Sequence, residues 1–140
     1  MALILKSLGG SSNIFVLDTR FTSLDVSGDV SVGGNVEGGG RKFGHVTKTS
    51  TYTILDSDYF IGVSTASTPE FTITLPDATS SGVGKGKTYM IKDEGRNASA
   101  VNITIATTSS QTIDGDVTYI LDASGEAIMV YSDGSNWFVT

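Results

Sequence analysis

Phe-Thr-Ile-Thr-Leu at residues 71–75 and Val-Asn-Ile-Thr-Ile at residues 101–105 carry the pattern that decides the fold class. In both stretches apolar residues alternate with Thr or Asn, as in a β-strand that buries one face and exposes the other. Alternation of this kind is typical of antiparallel sheets with one solvated face. The two stretches are therefore predicted to be half-buried antiparallel strands of an all-β protein.

Other short stretches beyond residue 50 also have the β-branched and aromatic content of strands. Turn sequences separate them, as at Asp114-Gly115 and Asp133-Gly134, and the latter is predicted to close a tight hairpin. No segment carries a sustained apolar stripe at helical spacing. The predicted strands are residues 52–55, 59–63, 71–75, 88–92, 101–105, 118–121, 127–131 and 137–139. This spacing predicts a jelly-roll-like β-sandwich of about eight strands over residues 44–140.

Residues 23–40 contain three aligned hexads, Ser-Leu-Asp-Val-Ser-Gly, Asp-Val-Ser-Val-Gly-Gly and Asn-Val-Glu-Gly-Gly-Gly. One apolar column of this repeat holds Leu24, Val30 and Val36, and a second column holds Val26 and Val32. Apolar and polar residues alternate within each hexad, and a final glycine permits a corner. These features are typical of the coils of a β-helix.

Three hexads make roughly one turn of a single-chain β-helix, and a solenoid needs about three or more repeats for a stable core. Three copies of the chain around a common axis would bring the apolar columns together across chains. The repeat therefore favours a homotrimeric stem, with a Gly-rich joint, over residues 21–43. A flexible Gly/Ser-rich linker with incidental valines is the alternative.

Residues 1–20 contain two small apolar clusters separated by Gly-Gly-Ser-Ser at residues 9–12. A segment this short cannot form its own core. It is either an arm that docks on another protein or a first strand that packs on the main domain, and composition alone does not decide between the two. If it is an anchoring arm, the candidate docking residues are Leu3, Ile4, Leu5, Ile14, Phe15 and Val16.

Composition excludes several functional classes. The chain has 140 residues, and its formal net charge of −6 comes from 15 acidic and 9 basic residues. The length predicts one modest core, and the absence of a Lys or Arg run argues against a nucleic-acid partner. The chain has no cysteine, which excludes disulfides and thiolate metal sites. No apolar run reaches the ~20 residues of a membrane span or the length of a signal-peptide core.

Residues 81–88, Ser-Gly-Val-Gly-Lys-Gly-Lys-Thr, nearly match the phosphate-binding loop G-x-x-x-x-G-K-[ST]. Ser81 stands where the first glycine of that motif belongs. The motif must open a helix whose N-terminal amides hold the phosphates, whereas residues 89–92 continue as a predicted strand. The stretch is therefore interpreted as a loop between strands, with Lys85 and Lys87 solvated.

No catalytic residue is predicted. His45 is the single histidine and lies beside a glycine in a predicted loop, with no nucleophile motif nearby. The paired acids Asp56 with Asp58 and Asp114 with Asp116 are residue types that serve glycoside hydrolysis or bind calcium. Neither pair has the full calcium-loop spacing, and aspartate in turns commonly caps backbone amides. The chain is accordingly predicted to use no metal or cofactor and not to be an enzyme.

Aromatic side chains of the predicted strands are interpreted mainly as core or interface residues. A sugar-stacking surface is the alternative, because aromatic faces pack against sugar rings. The residues concerned are Tyr52, Tyr59, Phe60, Tyr119, Tyr131, Trp137 and Phe138.

The order of strands and turns over roughly residues 50 to 140 resembles a domain of bacteriophage virion proteins. The stretches that carry the resemblance are YTILDSDYFIGV at 52–63, FTITLP at 71–76, GKTYMIKD at 86–93, NITI at 102–105, TIDG at 112–115 and GSNW at 134–137. They are similar to strands of phage tail-fibre, head-fibre and capsid-decoration proteins. This is a pattern of strands and turns rather than a catalytic signature, so it points to a class of proteins and not to a location on the particle.

The resemblance implies a homotrimeric β-sandwich with a β-helical stem at the virion surface. Tail fibres are usually much longer than this chain, which favours a capsid decoration (cement) protein or a short head fibre. Its expected partners are two further copies of itself and the major capsid protein or another virion protein, contacted through residues 1–20. The alternative is a tail-fibre or receptor-binding module that recognises a host surface glycan.

Overall fold

The computed structural model describes residues 40–65 and 71–140, which contain nine β-strands and no helix. The strands are β1 His45–Lys48, β2 Tyr52–Thr53, β3 Phe60–Val63, β4 Phe71–Thr74, β5 Thr88–Asp93, β6 Ile103–Ala106, β7 Thr118–Leu121, β8 Ala127–Ser132 and β9 Trp137–Val139. The predicted all-β class is confirmed for this part of the chain, in which no helix is available to cross a membrane. Strands β2 to β9 correspond to the predicted ones, whereas β1 was not predicted because Val46 is its only apolar residue.

The strands form two mixed sheets. The first sheet has the order β1-β3-β5-β8-β9, and the second has the order β2-β4-β6-β7. Neighbouring strands among β1, β3 and β5 are parallel, and so are those among β2, β4 and β6. The last three strands pair in the antiparallel sense: β7 with β6 in the second sheet, β8 with β5 in the first sheet, and β9 with β8. From β1 to β6 the chain therefore alternates between the sheets and adds one parallel strand to each in turn.

The prediction that residues 71–75 and 101–105 are antiparallel strands is wrong for the pair that they form with each other. Strand β4 lies parallel to β6, with Phe71 beside Ile103 and Ile73 beside Ile105, and β6 is antiparallel only to β7. Alternation within a strand reports that one face is buried, but it does not report the direction of the neighbouring strand. The parallel pairs also distinguish the domain from an all-antiparallel jelly roll.

Buried side chains of both sheets form one hydrophobic cluster. Ile61 lies beside Ile91 in the first sheet, and Ile73 lies beside Ile105 in the second, all with no exposed surface. Each such side chain contributes about 1.5–3 kcal/mol by its removal from water. Trp137 of the last strand is also fully buried in this cluster. The parallel register thus stacks like side chains on one another within the core.

Candidate functional site

The predicted anchoring and stem residues lie outside the residues that the structure describes, so their roles stay predictions. They are Leu3, Ile4, Leu5, Ile14, Phe15 and Val16 of the arm and Leu24, Val26, Val30, Val32 and Val36 of the hexads. The described residues allow the other candidates to be located: the Gly-Lys loop, the acidic residues, His45 and the aromatic side chains.

The Gly-Lys loop, residues 80–87, is a connection that packs on the turn before β3. Strand β5 begins directly after it, so the helix that a phosphate-binding loop requires does not follow. The amine of Lys87 donates to the carbonyl of Asp56 and lies 5.3 Å from the centroid of the Tyr89 ring. A Cβ on Gly82 would overlap the carboxylate of Asp56. These contacts confirm the interpretation of a loop between strands.

The prediction that both lysines of this loop are solvated holds for Lys85 and only in part for Lys87. Lys85 is exposed, whereas Lys87 is partly buried by its contacts with the neighbouring turn and with the tyrosine ring. Lysine stems commonly cover apolar surface while their amines keep a polar partner. Lys87 is therefore a packing residue of the loop.

Asp58 is buried and acts as a turn residue. One of its carboxylate oxygens accepts hydrogen bonds from the Tyr52 hydroxyl, at 2.8 Å, and from the Leu55 amide, at 2.9 Å. Burial, together with the hydrogen bond to Asp58 and its negative charge, raises the pKa of Tyr52 to about 12. The amine of Lys48 lies 3.6 Å from the centroid of the Tyr52 ring. The carboxylate therefore stabilises the turn, as capping chemistry predicts.

Asp114 and Asp116 also belong to a tight turn. The amide of Ile113 donates to the carbonyl of Asp116 at 2.7 Å, and the reverse bond is 2.9 Å long. Both Asp114 and Gly115 have positive φ angles, 52° and 97°, which such a turn requires. Over residues 40–65 and 71–140, no group of three or more His, Cys, Asp or Glu side chains is placed to hold a metal ion.

Asp93, at the end of β5, is an acid whose role the sequence analysis missed. It has no exposed surface, and its Oδ2 atom accepts hydrogen bonds from the amides of Ala98, at 3.0 Å, and Gly125, at 2.9 Å. Burial raises the pKa of Asp93. The hydrogen bonds from the amides of Gly125, Ala98, Asn97 and Arg96 lower this pKa by more than burial raises it, so the pKa lies below its ordinary value. The ionised carboxylate therefore joins the loop after β5 to the turn before β8.

One sequence signal could have identified Asp93. Tyr89 and Ile91 are the inward-facing residues of β5, and Asp93 occupies the next inward position of the same alternation. A charged residue on the buried face of a strand requires partners, because a buried ion without them is strongly disfavoured. An inward acid followed by Glu-Gly-Arg-Asn indicates that loop amides supply those partners.

His45 lies in β1 rather than in a loop, and it contacts Glu94. Its Nε2 atom is 2.7 Å from one carboxylate oxygen of Glu94, while the Thr47 hydroxyl donates to the other at 3.1 Å. The side chains of His45 and Glu94 are both substantially exposed. Glu94 reaches β1 by lying across Gly62 of the intervening strand, where a Cβ would overlap its carboxylate. This arrangement fastens the edge strand β1 to the end of β5.

Replacing Gly62 with alanine is expected to displace the Glu94 side chain and release its contacts with His45 and Thr47. The glutamate is flexible and its partners are exposed, so the free energy of unfolding should fall by less than about 1 kcal/mol. In a Glu94→Ala background the same substitution should cost nothing or stabilise, because Gly within a strand is roughly 0.5–1 kcal/mol worse than Ala. Urea denaturation of the four proteins in a double-mutant cycle measures the difference. If Gly62→Ala lowered the free energy of unfolding by the same amount with and without Glu94, this account would be contradicted.

The outer face of the second sheet is rich in hydroxyl groups. Its outward positions alternate with the buried isoleucines and leucine and consist mainly of threonine. Threonine suits an exposed strand surface, because it combines high β-propensity with a polar group. The outward residues are Thr53, Thr72, Thr74, Thr104, Ala106, Thr118 and Ile120.

The outer face of the first sheet instead carries an apolar patch, formed by Phe60, Met90, Met129, Tyr131 and Phe138. Phe60 lies beside Met90, and Met90 beside Met129, in adjacent strands. Tyr131 pairs with Phe138, and their rings stack with centroids 5.4 Å apart. Tyr131 retains 42% of its surface exposed. Large apolar side chains thus cross this face from β3 to β9.

An aromatic cluster formed by Phe43 and Tyr59 adjoins the apolar patch at Phe60. The ring of Phe43 stacks on that of Tyr59 with centroids 4.3 Å apart, and Tyr59 meets Phe60 edge-on at 4.8 Å. Phe43 is 44% exposed. The prediction that the aromatic residues are core or interface residues is confirmed for the core by Trp137, which is fully buried.

No protein-family model and no curated protein matches this chain. The resemblance to phage virion proteins therefore depends on the pattern of strands and turns alone. The described residues form a two-sheet domain in which the chain winds from one sheet to the other. One outer face of this domain is rich in threonine, and the other is apolar.

Proposed function

We propose that this chain is a non-enzymatic structural protein of a virus particle, a homotrimer that decorates the capsid or forms a short head fibre. In this proposal the two sheets form a β-sandwich around their common core. The hexads form the trimeric stem, and residues 1–20 attach the trimer to the major capsid protein or another virion protein at the particle surface.

The observation that carries the proposal is the winding of the domain. Parallel strands that alternate between two sheets stack coil on coil, which is also the principle of the β-helix predicted for the hexads. The described domain therefore has the same kind of architecture as the predicted stem. The antiparallel strands β7 to β9 cover the end of the parallel ladders, as a capping element does in a solenoid.

The chemistry of the acidic residues also supports a structural role. Asp58 and Asp93 are buried and hydrogen-bonded to turn or loop amides, and Asp133 accepts the amides of Ser135 and Asn136 in the hairpin between β8 and β9. A catalytic acid or base needs a proton partner within reach of a substrate. Carboxylates that cap backbone amides stabilise turns instead.

A receptor-binding module for a host surface glycan is the second candidate. The stacked pair of Tyr131, which is exposed, and Phe138, which is half-buried, favours it, because an aromatic face packs against a sugar ring. Copy number separates the two candidates. A decoration protein should be present in far more copies per purified particle than a tail fibre, and quantitative gel analysis of particles measures this directly.

Deletion of residues 1–20 is expected to leave a folded trimer that no longer binds particles lacking the native protein. Burial of Leu3, Ile4 and Phe15 against a partner contributes several kcal/mol at ~25 cal/mol per Å², and three tethered arms add avidity. Co-sedimentation of the truncated and full chains with such particles measures the loss of binding. Circular dichroism and light scattering check that the variant still folds and assembles.

Two outcomes would count against the anchoring role. If the truncated trimer binds particles as well as the full chain does, attachment lies elsewhere on the molecule. If the truncated chain no longer folds, residues 1–20 contribute a strand to the core, as the alternative interpretation of this segment states.

A further inference from the structure

We propose that the apolar patch on the first sheet is the surface through which the domain of one copy contacts the domain of a second copy of this chain. The inference rests on the proposed homotrimer and extends it from the stem to the wound domain. The patch consists of Phe60, Met90, Met129, Tyr131 and Phe138, as defined above.

The contrast between the two outer faces is the first argument. The second sheet presents mainly threonine, which needs no partner in water, with one exposed isoleucine, Ile120. The first presents two methionines and three aromatic side chains, of which Tyr131 is exposed and the others are half-buried. Aromatic residues and Met are enriched in the buried centres of protein interfaces, while Lys, Glu and Asp are depleted. Met side chains also adapt their shape to an apposed surface. The first sheet therefore has the composition of an interface centre.

The distribution of charge on this face is compatible with an identical partner. The chain carries a formal net charge of −6, so contact between two copies is opposed wherever acidic residues meet. On the outer face of the first sheet, the charged residues are Lys92 and Glu94, which have opposite signs, and the titratable His45 contacts Glu94 on the same face. The amine of Lys92 donates to the carbonyls of Asp93 and Gly125. Contact between two copies across this face therefore does not bring together an excess of charges of one sign.

The position of the patch along the chain supplies the third argument. Gly40 is separated from Phe43 by three Cα–Cα steps, which span at most about 11 Å. Phe43 stacks on Tyr59, and Tyr59 contacts Phe60 of the patch. If the residues before Gly40 join three copies, the three domains are therefore tethered close to one another. Tethering over so short a distance gives effective concentrations in the millimolar range.

The expected contact is an addition to the stem and not an independent dimer interface. Stable interfaces bury roughly 800 Å² per partner, from about 20–30 residues a side. The patch with its aromatic cluster comprises only Phe43, Tyr59, Phe60, Met90, Met129, Tyr131 and Phe138. We expect a contact of this size to persist because the proposed stem holds the domains of the three copies at a high local concentration.

Spin labels on the full chain can locate the contact. The chain has no cysteine, so Ala127→Cys and Thr104→Cys each create a unique labelling site. Ala127 lies beside Lys92 at the margin of the patch face, and Thr104 lies on the threonine-rich face of the other sheet. Pulsed electron paramagnetic resonance should give distances between copies that are shorter for position 127 by at least about 10 Å, the spacing of stacked sheets.

The two levels of the proposal fail differently in this experiment. A trimer by light scattering in which position 127 gives distances as long as or longer than those of position 104 would overturn the patch contact and leave the stem intact. A chain that is monomeric at micromolar concentration would overturn the proposed trimer and, with it, the patch contact.

A matched pair of charge variants tests the same surface by a second measurement. Met129→Lys places a charge from each copy in the proposed contact and should weaken trimer association by about 10- to 100-fold. Thr104→Lys places the same charge on the threonine-rich face and should leave association unchanged. Concentration-dependent light scattering measures both, with thermal melts to confirm folding. Equal effects of the two substitutions, or binding of an oligosaccharide to the patch of the intact trimer, would overturn the inference.

Discussion

Replacing Asp93 with alanine is expected to lower the free energy of unfolding by about 2–4 kcal/mol, because the buried amide of Ala98 and the partly buried amide of Gly125 lose an ionised partner. The carboxylate has no exposed surface and accepts hydrogen bonds from Ala98 and Gly125. Its removal leaves both amides unsatisfied and frees the loop after β5 from the turn before β8. Urea denaturation followed by circular dichroism measures the loss.

Asp133→Ala is the matched control. Asp133 also accepts two backbone amides, those of Ser135 at 2.8 Å and Asn136 at 2.7 Å, but it lies at the surface. Water replaces the lost carboxylate there, so a much smaller loss of stability is expected than for Asp93→Ala. Similar losses for the two variants would show that burial of Asp93 is not the source of its contribution.

The same residue should give the domain an acid-sensitive component of stability. The pKa of Asp93 is lower in the folded protein than its ordinary value of about 3.9, since the amide hydrogen bonds outweigh burial. Its contribution is therefore fully present above pH ~4 and is lost as the pH falls through the native pKa. Asp77 and Asp133 also have lowered pKa values, but they remain in the Asp93→Ala variant. The difference in melting temperature between the two proteins should shrink on acidification.

Strand positions were predictable from the sequence because they depend on local information. The alternation in residues 71–75 and 101–105 marks one buried face, and turn residues such as Asp133-Gly134 mark the ends of strands. Strand direction was not predictable in the same way. Whether Phe71 lies beside Ile103 in a parallel or an antiparallel sense depends on the path of the intervening chain between the two sheets. Alternation within a single strand carries no record of that path.

The apolar patch was unpredictable for a related reason. Phe60, Met90 and Met129 are far apart in the sequence, and only the register of three strands places them side by side. Each is an ordinary strand residue when considered alone. Asp93 differs, because its inward position in β5 follows from the alternation of that strand, so a search for charged residues at buried positions would have found it.

Replacing Val30 with aspartate is expected to convert the trimer into monomers. Val30 occupies the middle of the predicted apolar column between Leu24 and Val36, so three copies would bring three carboxylates close to one axis. A buried charge without a partner costs far more than the lost apolar contact. Ser31→Asp is the matched control, because the neighbouring residue has the opposite orientation in an alternating strand and its carboxylate would face solvent. Light scattering at micromolar concentration should give one chain per particle for the first variant and three for the second. A trimer that survives Val30→Asp would mean that residues 23–40 are a linker and that any association of the chains depends on the wound domain.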